Sequence, residues 1–260
     1  SYADKKLYED ASFQLEKHEH MGIVGQNGAG KSTLIKILIG KTLPVEGSIK
    51  WQKGVKIGYL DQYVDIPKGM TLIEFLPTAF ADLYQLNDQM NQLYQDYASE
   101  MDDKLLAKAG QIQEKLDANN FYEIETEIDR VMNGLGLTEI GKDHVVSEMS
   151  GGQRSKIILA KMLLENPDVI LLDEPTNYLD TAHIEWLIDY LNNYDGAAMI
   201  ISHDYDFLEQ VTNTICDVSF NKITKYRGSF QQAMRQKEER KETQQREYEK
   251  QQETIEKAER

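Results

Sequence analysis

Cysteine is almost missing from this sequence. Cys216 stands alone among 260 residues, so no internal disulfide can form and no cysteine pair has zinc-ligand spacing. That usage fits a reducing cytoplasm. The five histidines are scattered, without the pairing that marks a metal centre. Long hydrophobic runs are absent too. The longest span a few residues, such as Ile157–Ala160 and Val169–Leu172, far short of a bilayer crossing, and no secretory leader opens the chain. The sequence reads as soluble. Positive charge is in deficit: 29 Lys and Arg face 44 Asp and Glu, a formal net charge of −15 with pI about 4.8. A surface that grips nucleic acid over its whole extent is excluded by that balance, while a local basic patch is not.

What the chain does have is enough apolar content, 40%, to bury a core of one large domain or two modest ones. Two textures alternate along it. Up to about Gln62, short β-like runs surround a glycine-rich turn. Met21–Val24 is an apolar strand, Ser32–Ile39 places Leu34, Ile35, Leu38 and Ile39 at helical spacing, and Ser48–Trp51 and Val55–Tyr59 are strand-like. Between about Leu72 and Leu137 the apolar residues repeat every three or four positions. The series are Leu83, Leu86, Met90, Leu93, Tyr97; then Leu105, Ala109, Ile112, Leu116; then Ile124, Ile128, Val131, Leu135. Polar breaks at Ser99–Asp103 and Ala118–Asn120 separate them, which predicts a long helical hairpin plus one more helix. From Ser150 the α/β texture returns, with helices over Gln153–Leu164 and Ile184–Leu191. Strands fall at Val169–Leu172, Ala198–Ser202, Asp217–Phe220 and Ile223–Tyr226. Arg235–Arg260 is almost wholly charged or Gln and predicts a solvated helix or the start of a linker.

Three segments carry chemistry. Gly25-Gln-Asn-Gly-Ala-Gly30-Lys31-Ser32-Thr33 has the P-loop spacing, with a strand before it and a helix after. In such a loop Gly25, Asn27, Gly28, Ala29 and Gly30 turn backbone N–H groups toward phosphate oxygens, and the helix adds its positive end. Lys31 then reaches the β- and γ-phosphates, Ser32 ligates Mg²⁺, and Thr33 completes the cradle. Val169-Ile-Leu-Leu-Asp173-Glu174 brings Asp173 to the C-terminal end of a buried strand, where ligands bind in open α/β sheets. Asp173 is placed to hold the metal and Glu174 to act as general base on the attacking water. Asp-Glu after a strand is a common ending by itself; after a P-loop it is a specific one. Ser150-Gly151-Gly152-Gln153 opens a helix with an N-cap and two glycines that leave its N-terminus uncovered, a second anion site.

The order P-loop, Gln62, Ser150–Gln153, Asp173–Glu174, Asp180, His203 resembles an ATP-binding cassette (ABC) ATPase domain over nearly the whole chain. The resemblance implies an α/β fold: a P-loop NTPase of ABC type with a helical subdomain at about 72–148 and a short antiparallel β part. It implies ATP and Mg²⁺ as cofactors, Gln62 as the residue that senses magnesium and γ-phosphate, and His203 as the switch histidine on γ-phosphate. Ser150–Gln153 would be the signature motif, with Met149 in place of the usual Leu. Asp180 closes the D-loop. Tyr2, with Tyr8 as the alternative, would stack on adenine.

Within the family, Glu174–Asp180, Ser202–Asp204 leading to Phe207-Leu208, and Tyr226-Arg-Gly228-Ser-Phe230 are similar to the ABC-F group. Tyr178 and Tyr205 depart from that group's usual His and Arg. The resemblance implies one cassette at residues 1–235 of a cytoplasmic tandem protein that acts on the ribosome, touching ribosomal RNA or tRNA, with residues 236–260 opening the linker. The first residue is not Met, and the charged end is abrupt; both lead to the expectation of a fragment. General translation, stalled-ribosome rescue and antibiotic resistance all remain open as roles. The alternative is the ATPase subunit of a membrane transporter. In either case the resemblance implies a second cassette as partner, in the same chain or as a homodimer, each ATP lying between one P-loop and the opposite signature motif. The acidic balance lends ribosome binding no support, so that partner rests on resemblance.

Overall fold

A computed structural model describes residues 12–41, 43–44, 47–60 and 64–258. Tyr2, Tyr8 and Gln62 lie outside the described residues. In chain order the main elements are β1 (His20–Val24), α1 (Lys31–Leu38), β2 (Ile57–Tyr59), α2 (Leu72–Phe75), α3 (Ala81–Glu100), α4 (Asp103–Ala118), α5 (Ile124–Gly134) and α6 (Gly151–Leu164). They continue with β3 (Val169–Asp173), α7 (Thr181–Asn192), β4 (Ala197–Ile201), α8 (Tyr205–Val211), β5 (Thr214–Ser219), β6 (Lys222–Arg227) and α9 (Phe230–Ala258). The chain divides into two units. The first takes the residues up to Tyr59, then Asp168–Thr176, and everything from Ile188; the second takes Leu60–Pro167 and Asn177–Leu187.

The first unit holds one six-stranded sheet in the order β2-β3-β4-β1-β5-β6. Five strands run parallel, and β6 returns antiparallel to β5. Parallel strands covered on both faces read as unbroken apolar runs, and Val169–Leu172 and Ala197–Ile201 are buried throughout. A core of Met21, Ile23, Leu34, Ile35, Leu171, Met199 and Ile201 packs along the sheet. The β5–β6 hairpin turns through Phe220 and Asn221, both at positive φ (51° and 60°), as a two-residue turn matched to strand twist requires. Register pins the site: β1 pairs with β4 on one side and β5 on the other, so the residue after Val24 leaves the sheet at its C-terminal edge.

Among the described residues the antiparallel part of this sheet is the β5–β6 pair. Ser48–Trp51, strand-like in its alternation, carries no strand. Trp51 instead packs against the core, its Nε1–H donating to the Leu38 carbonyl at 3.2 Å. Of Val55–Tyr59, only Ile57–Tyr59 forms a strand, parallel to β3.

The second unit is helical. Helices α3 and α4 pack as a hairpin around Met90, Ala109 and Leu116, flanked by Leu83, Leu86, Leu93 and Ile112, the positions named by the repeat. The hairpin turns at Met101, in the left-handed region, and restarts where Asp102 accepts the Lys104 N–H. Helix α5 buries Ile124, Ile128 and Val131, the third series.

Candidate functional site

The loop Gly25–Gly30 joins β1 to α1. Gly28 (φ 78°) and Gly30 (φ 101°) occupy the left-handed region, which a side chain would strain. Gly30 is the N-cap of α1, and no side chain caps that helix. The loop is therefore curled by its glycines, and the first turn of α1 faces it with backbone donors. Asn27 and Gly28 are exposed, Gly25, Ala29, Gly30 and Thr33 half-buried. Lys31 is buried at 8% exposure, and its Nζ donates to the Gly25 carbonyl, so the ammonium lies across its own loop. Burial pulls the Lys31 pKa down, against the opposing pull of the Glu174 and Asp173 carboxylates.

Two strands deliver the acidic side. Helix α1 presents Ser32, whose hydroxyl donates to Asp173 Oδ2 at 2.7 Å, although 141 residues separate them in sequence. Asp173 ends β3 opposite Ile201 of β4. Glu174, the next residue, has φ 51°, and its N–H donates to the Ile201 carbonyl at 2.8 Å. That left-handed backbone is costly for a side-chain-bearing residue and is held by the β4 contact. Burial raises the Glu174 pKa, and Asp173 adds to the rise; the His203 N–H, the His203 ring and Lys31 oppose it.

His203 follows β4 at the same edge. Its backbone N–H reaches Glu174 Oε2 at 3.4 Å, and its Nε2 lies 3.5 Å from Glu174 Oε1. The loop carrying it is fixed on both sides: the buried Ser202 hydroxyl accepts the Asp204 N–H at 3.0 Å, and Asp204 Oδ1 caps α8 by accepting the Phe207 N–H. Ser202 and Asp204 were not singled out from the sequence as site residues. Asp three positions before an apolar helical residue was the available signal.

Lys31, Ser32, Asp173, Glu174 and His203 thus converge in the first unit. Ser32 Oγ and Asp173 Oδ2 are hard oxygen donors in contact, the type of partial ligand set that suits a magnesium ion sharing phosphate oxygens and waters. No group of three His, Cys, Asp or Glu among the described residues forms an all-protein metal cage. A cavity of about 320 Å³ lined by His18, His20 and Tyr194 lies at the opposite, N-terminal edge of the strands and shares no residue with this group.

The remaining predicted residues belong to the second unit. Ser150 caps α6: its hydroxyl accepts the Gln153 N–H at 3.3 Å, while Gln153 Oε1 accepts the Ser150 N–H at 3.3 Å, a reciprocal box. The N-terminus expected to be uncovered is thus partly closed by its own residues. Gly151 stays exposed and Gly152 half-buried. A Cβ on Gly152 would lie 3.0 Å from the Tyr178 ring, a contact with no sequence signal. Asp180 caps α7, accepting the His183 N–H at 3.0 Å.

With this geometry described, comparison with known proteins is decisive. A family model described as ABC transporter matches residues 8–177, and a second of the same description matches residues 216–260. The chain belongs to the ABC transporter family. It carries that family's ATP-binding ATPase domain. The uncharacterized ABC transporter ATP-binding protein YfmM of Bacillus subtilis (strain 168) is 43% identical over 98% of this chain and 50% of that protein. ABC transporter F family member 5 of Arabidopsis thaliana is 33% identical over 98% of this chain and 38% of its own length. The energy-dependent translational throttle protein EttA of Haemophilus influenzae (strain ATCC 51907 / DSM 11121 / KW20 / Rd) is 32% identical over 93% and 43% respectively. This chain therefore spans about half, or less, of the length of these relatives. A solved ATP-binding subunit of an ABC transporter matches with a TM-score of 0.64 at 20% identity, covering 90% of this chain and 88% of that one; it shows the fold. The relatives include one named for the F group, as the resemblance of Glu174–Asp180 and Tyr226–Phe230 implies. No helix among the described residues is long and apolar enough to cross a membrane.

Proposed function

We propose that this ABC cassette hydrolyses ATP with magnesium, as one half of a tandem F-group protein that acts on the ribosome. The observation that carries the catalytic part is the Ser32–Asp173 hydrogen bond of 2.7 Å, with Glu174 and His203 in contact beside it. Lys31 exchanges its Gly25 carbonyl for β- and γ-phosphate oxygens. Ser32 and Asp173, with Gln62, would hold a magnesium ion, which would supply neutralising charge to the phosphates. Glu174 accepts a proton from the attacking water, a task suited by its raised pKa, and His203 meets the γ-phosphate. Gly25, Asn27, Gly28, Ala29, Gly30 and Thr33 cradle the phosphate chain, and Tyr2, or Tyr8, stacks on adenine.

Ser150, Gly151, Gly152 and Gln153 serve the nucleotide of a second cassette, so the lone cassette turns over slowly until it pairs. Residues 1–235 form the cassette, with its helical subdomain at about 72–148, and 236–260 begin a linker. The ribosomal partner is supported by the relative named for translational throttling, and a cytoplasmic location is part of the same proposal.

The test is full-length protein carrying Glu174→Gln. It is expected to bind ATP, to lose hydrolysis, and to co-sediment with ribosomes in ATP. Hydrolysis at the parental rate removes the general-base assignment. Copurification with a membrane-spanning protein, and no ribosome binding, replaces the ribosomal reading with a transporter one.

A further inference from the structure

Helix α9 holds the nucleotide edge of the sheet at two points, both within the first unit. Its start is fixed by a second reciprocal box, in which Ser229 N–H donates to Gln232 Oε1 at 2.9 Å and Gln232 N–H to Ser229 Oγ at 3.4 Å. The first tie is to α8. Tyr205, the opening residue of α8, stacks on Phe230, the opening residue of α9, with ring centroids 4.6 Å apart and planes 8° from parallel. One turn along the same face of α8, Glu209 Oε2 accepts the Gln231 N–H at 2.7 Å, a carboxylate at the positive end of α9. The second tie is to β5. Lys237 Nζ lies 2.5 Å from Oδ2 of Asp217, whose side chain is 3% exposed, and Asp217 pairs with Val24, the residue before the P-loop. Beyond these ties every described residue of α9 is exposed. The 21 residues from Glu238 to Ala258 project as a lever about 30 Å long.

We infer that Tyr205 is a positioning residue: through its stack on Phe230 it couples the attitude of α9 to the contact between His203 and Glu174. Only Asp204 stands between His203 and Tyr205, and the buried Phe207, Leu208 and Val211 hold the rest of α8 in the core. A tilt of α9 therefore reaches the first turn of α8 and the His203 N–H that meets Glu174. This inference rests on the proposed roles of Glu174 and His203 and adds to them the element that governs their spacing.

The experiment compares full-length parent, Tyr205→Ala, Tyr205→Phe, Phe230→Ala and the double alanine variant. Hydrolysis is measured against ATP concentration, and ATP affinity by equilibrium binding. Tyr205→Ala and Phe230→Ala are each expected to lower kcat on the order of tenfold, the scale of a small misplacement at a reacting centre, while ATP affinity holds. Tyr205→Phe restores kcat, and the double variant is no slower than either single one. Parental kcat in both alanine variants overturns the inference. So do losses that multiply in the double variant, or a fall in ATP affinity matching the fall in kcat. Failure of the underlying reading has a different signature: Glu174→Gln then hydrolyses ATP as the parent does, whatever the Tyr205 variants show.

Discussion

Helices α1 and α6 both open on residues proposed to meet phosphate, but their first turns are finished differently. Helix α1 begins after a left-handed glycine with no side-chain cap; α6 begins with Ser150 and Gln153 closing on each other. An uncapped helix end leaves backbone donors for a ligand, and in the proposed reading the triphosphate would complete the first turn of α1. The capping box makes α6 self-supporting, and Gly151 and Gly152 are what it offers outward. The buried Lys31 and the acidic pair Asp173–Glu174 accompany the first helix start. The second has Arg154 in its first turn, but that guanidinium donates to the Val64 carbonyl, and no acidic residue of the Asp173–Glu174 kind lies in that turn. On the proposed reading, the first is a phosphate cradle and the second one half of a site that another cassette completes.

Several substitutions break or sharpen that comparison. The largest effect is expected from Glu174→Gln, which should lower hydrolysis about a thousandfold with ATP binding intact; single-turnover kinetics reads both. Because burial raises the Glu174 pKa, parental hydrolysis should fall off at a pH above the ordinary carboxylate range, and Glu174→Gln should show no such acid limb. Next, Lys31→Ala should weaken ATP binding by about 2 kcal/mol, roughly thirtyfold in Kd, through loss of charge-assisted hydrogen bonds. Lys237→Ala leaves the Asp217 carboxylate buried without its countercharge and should cost about 2 kcal/mol of stability by denaturant titration.

Ser150→Ala removes one cap and should cost about 1 kcal/mol of stability, with the ATP affinity of the lone cassette unaltered. A loss of that affinity comparable to the Lys31→Ala loss would break the distinction between the two helix starts. The smallest effect concerns stability at neutral pH. A carboxyl whose folded pKa exceeds its unfolded one binds its proton more tightly when folded, so ionised Glu174 opposes folding above its unfolded pKa, and the penalty is relieved as pH falls. Glu174→Gln should therefore melt at or slightly above the parental temperature.

Local signals were legible and partner-dependent ones were not. The three helical series of the insertion reappear as buried faces of α3, α4 and α5 because helix period alone sets which side chains share a face. Ser48–Trp51 alternates like a strand, but a strand needs a neighbour to bond; Trp51 found its contact in the Leu38 carbonyl instead. Helix α9 starts at Phe230 rather than at the charge run from Arg235, and the S-x-x-Q box at Ser229 and Gln232 was the readable sign. The P-loop and the Asp173–Glu174 strand end were both visible as motifs. Their meeting with His203 was implied by the family resemblance and not by any local pattern, since it depends on β3 and β4 pairing in register. The Tyr205–Phe230 stack was hidden for the same reason: 25 positions and a β-hairpin separate the two rings.

The sharpest test is the magnesium dependence of ATP affinity, measured by titration calorimetry on the parent and on Asp173→Asn. If Ser32 and Asp173 share a metal with the phosphates, magnesium tightens ATP binding in the parent and has little effect in the variant. An Asp173→Asn protein that keeps the parental magnesium response, or a parent that binds no ATP, contradicts the account.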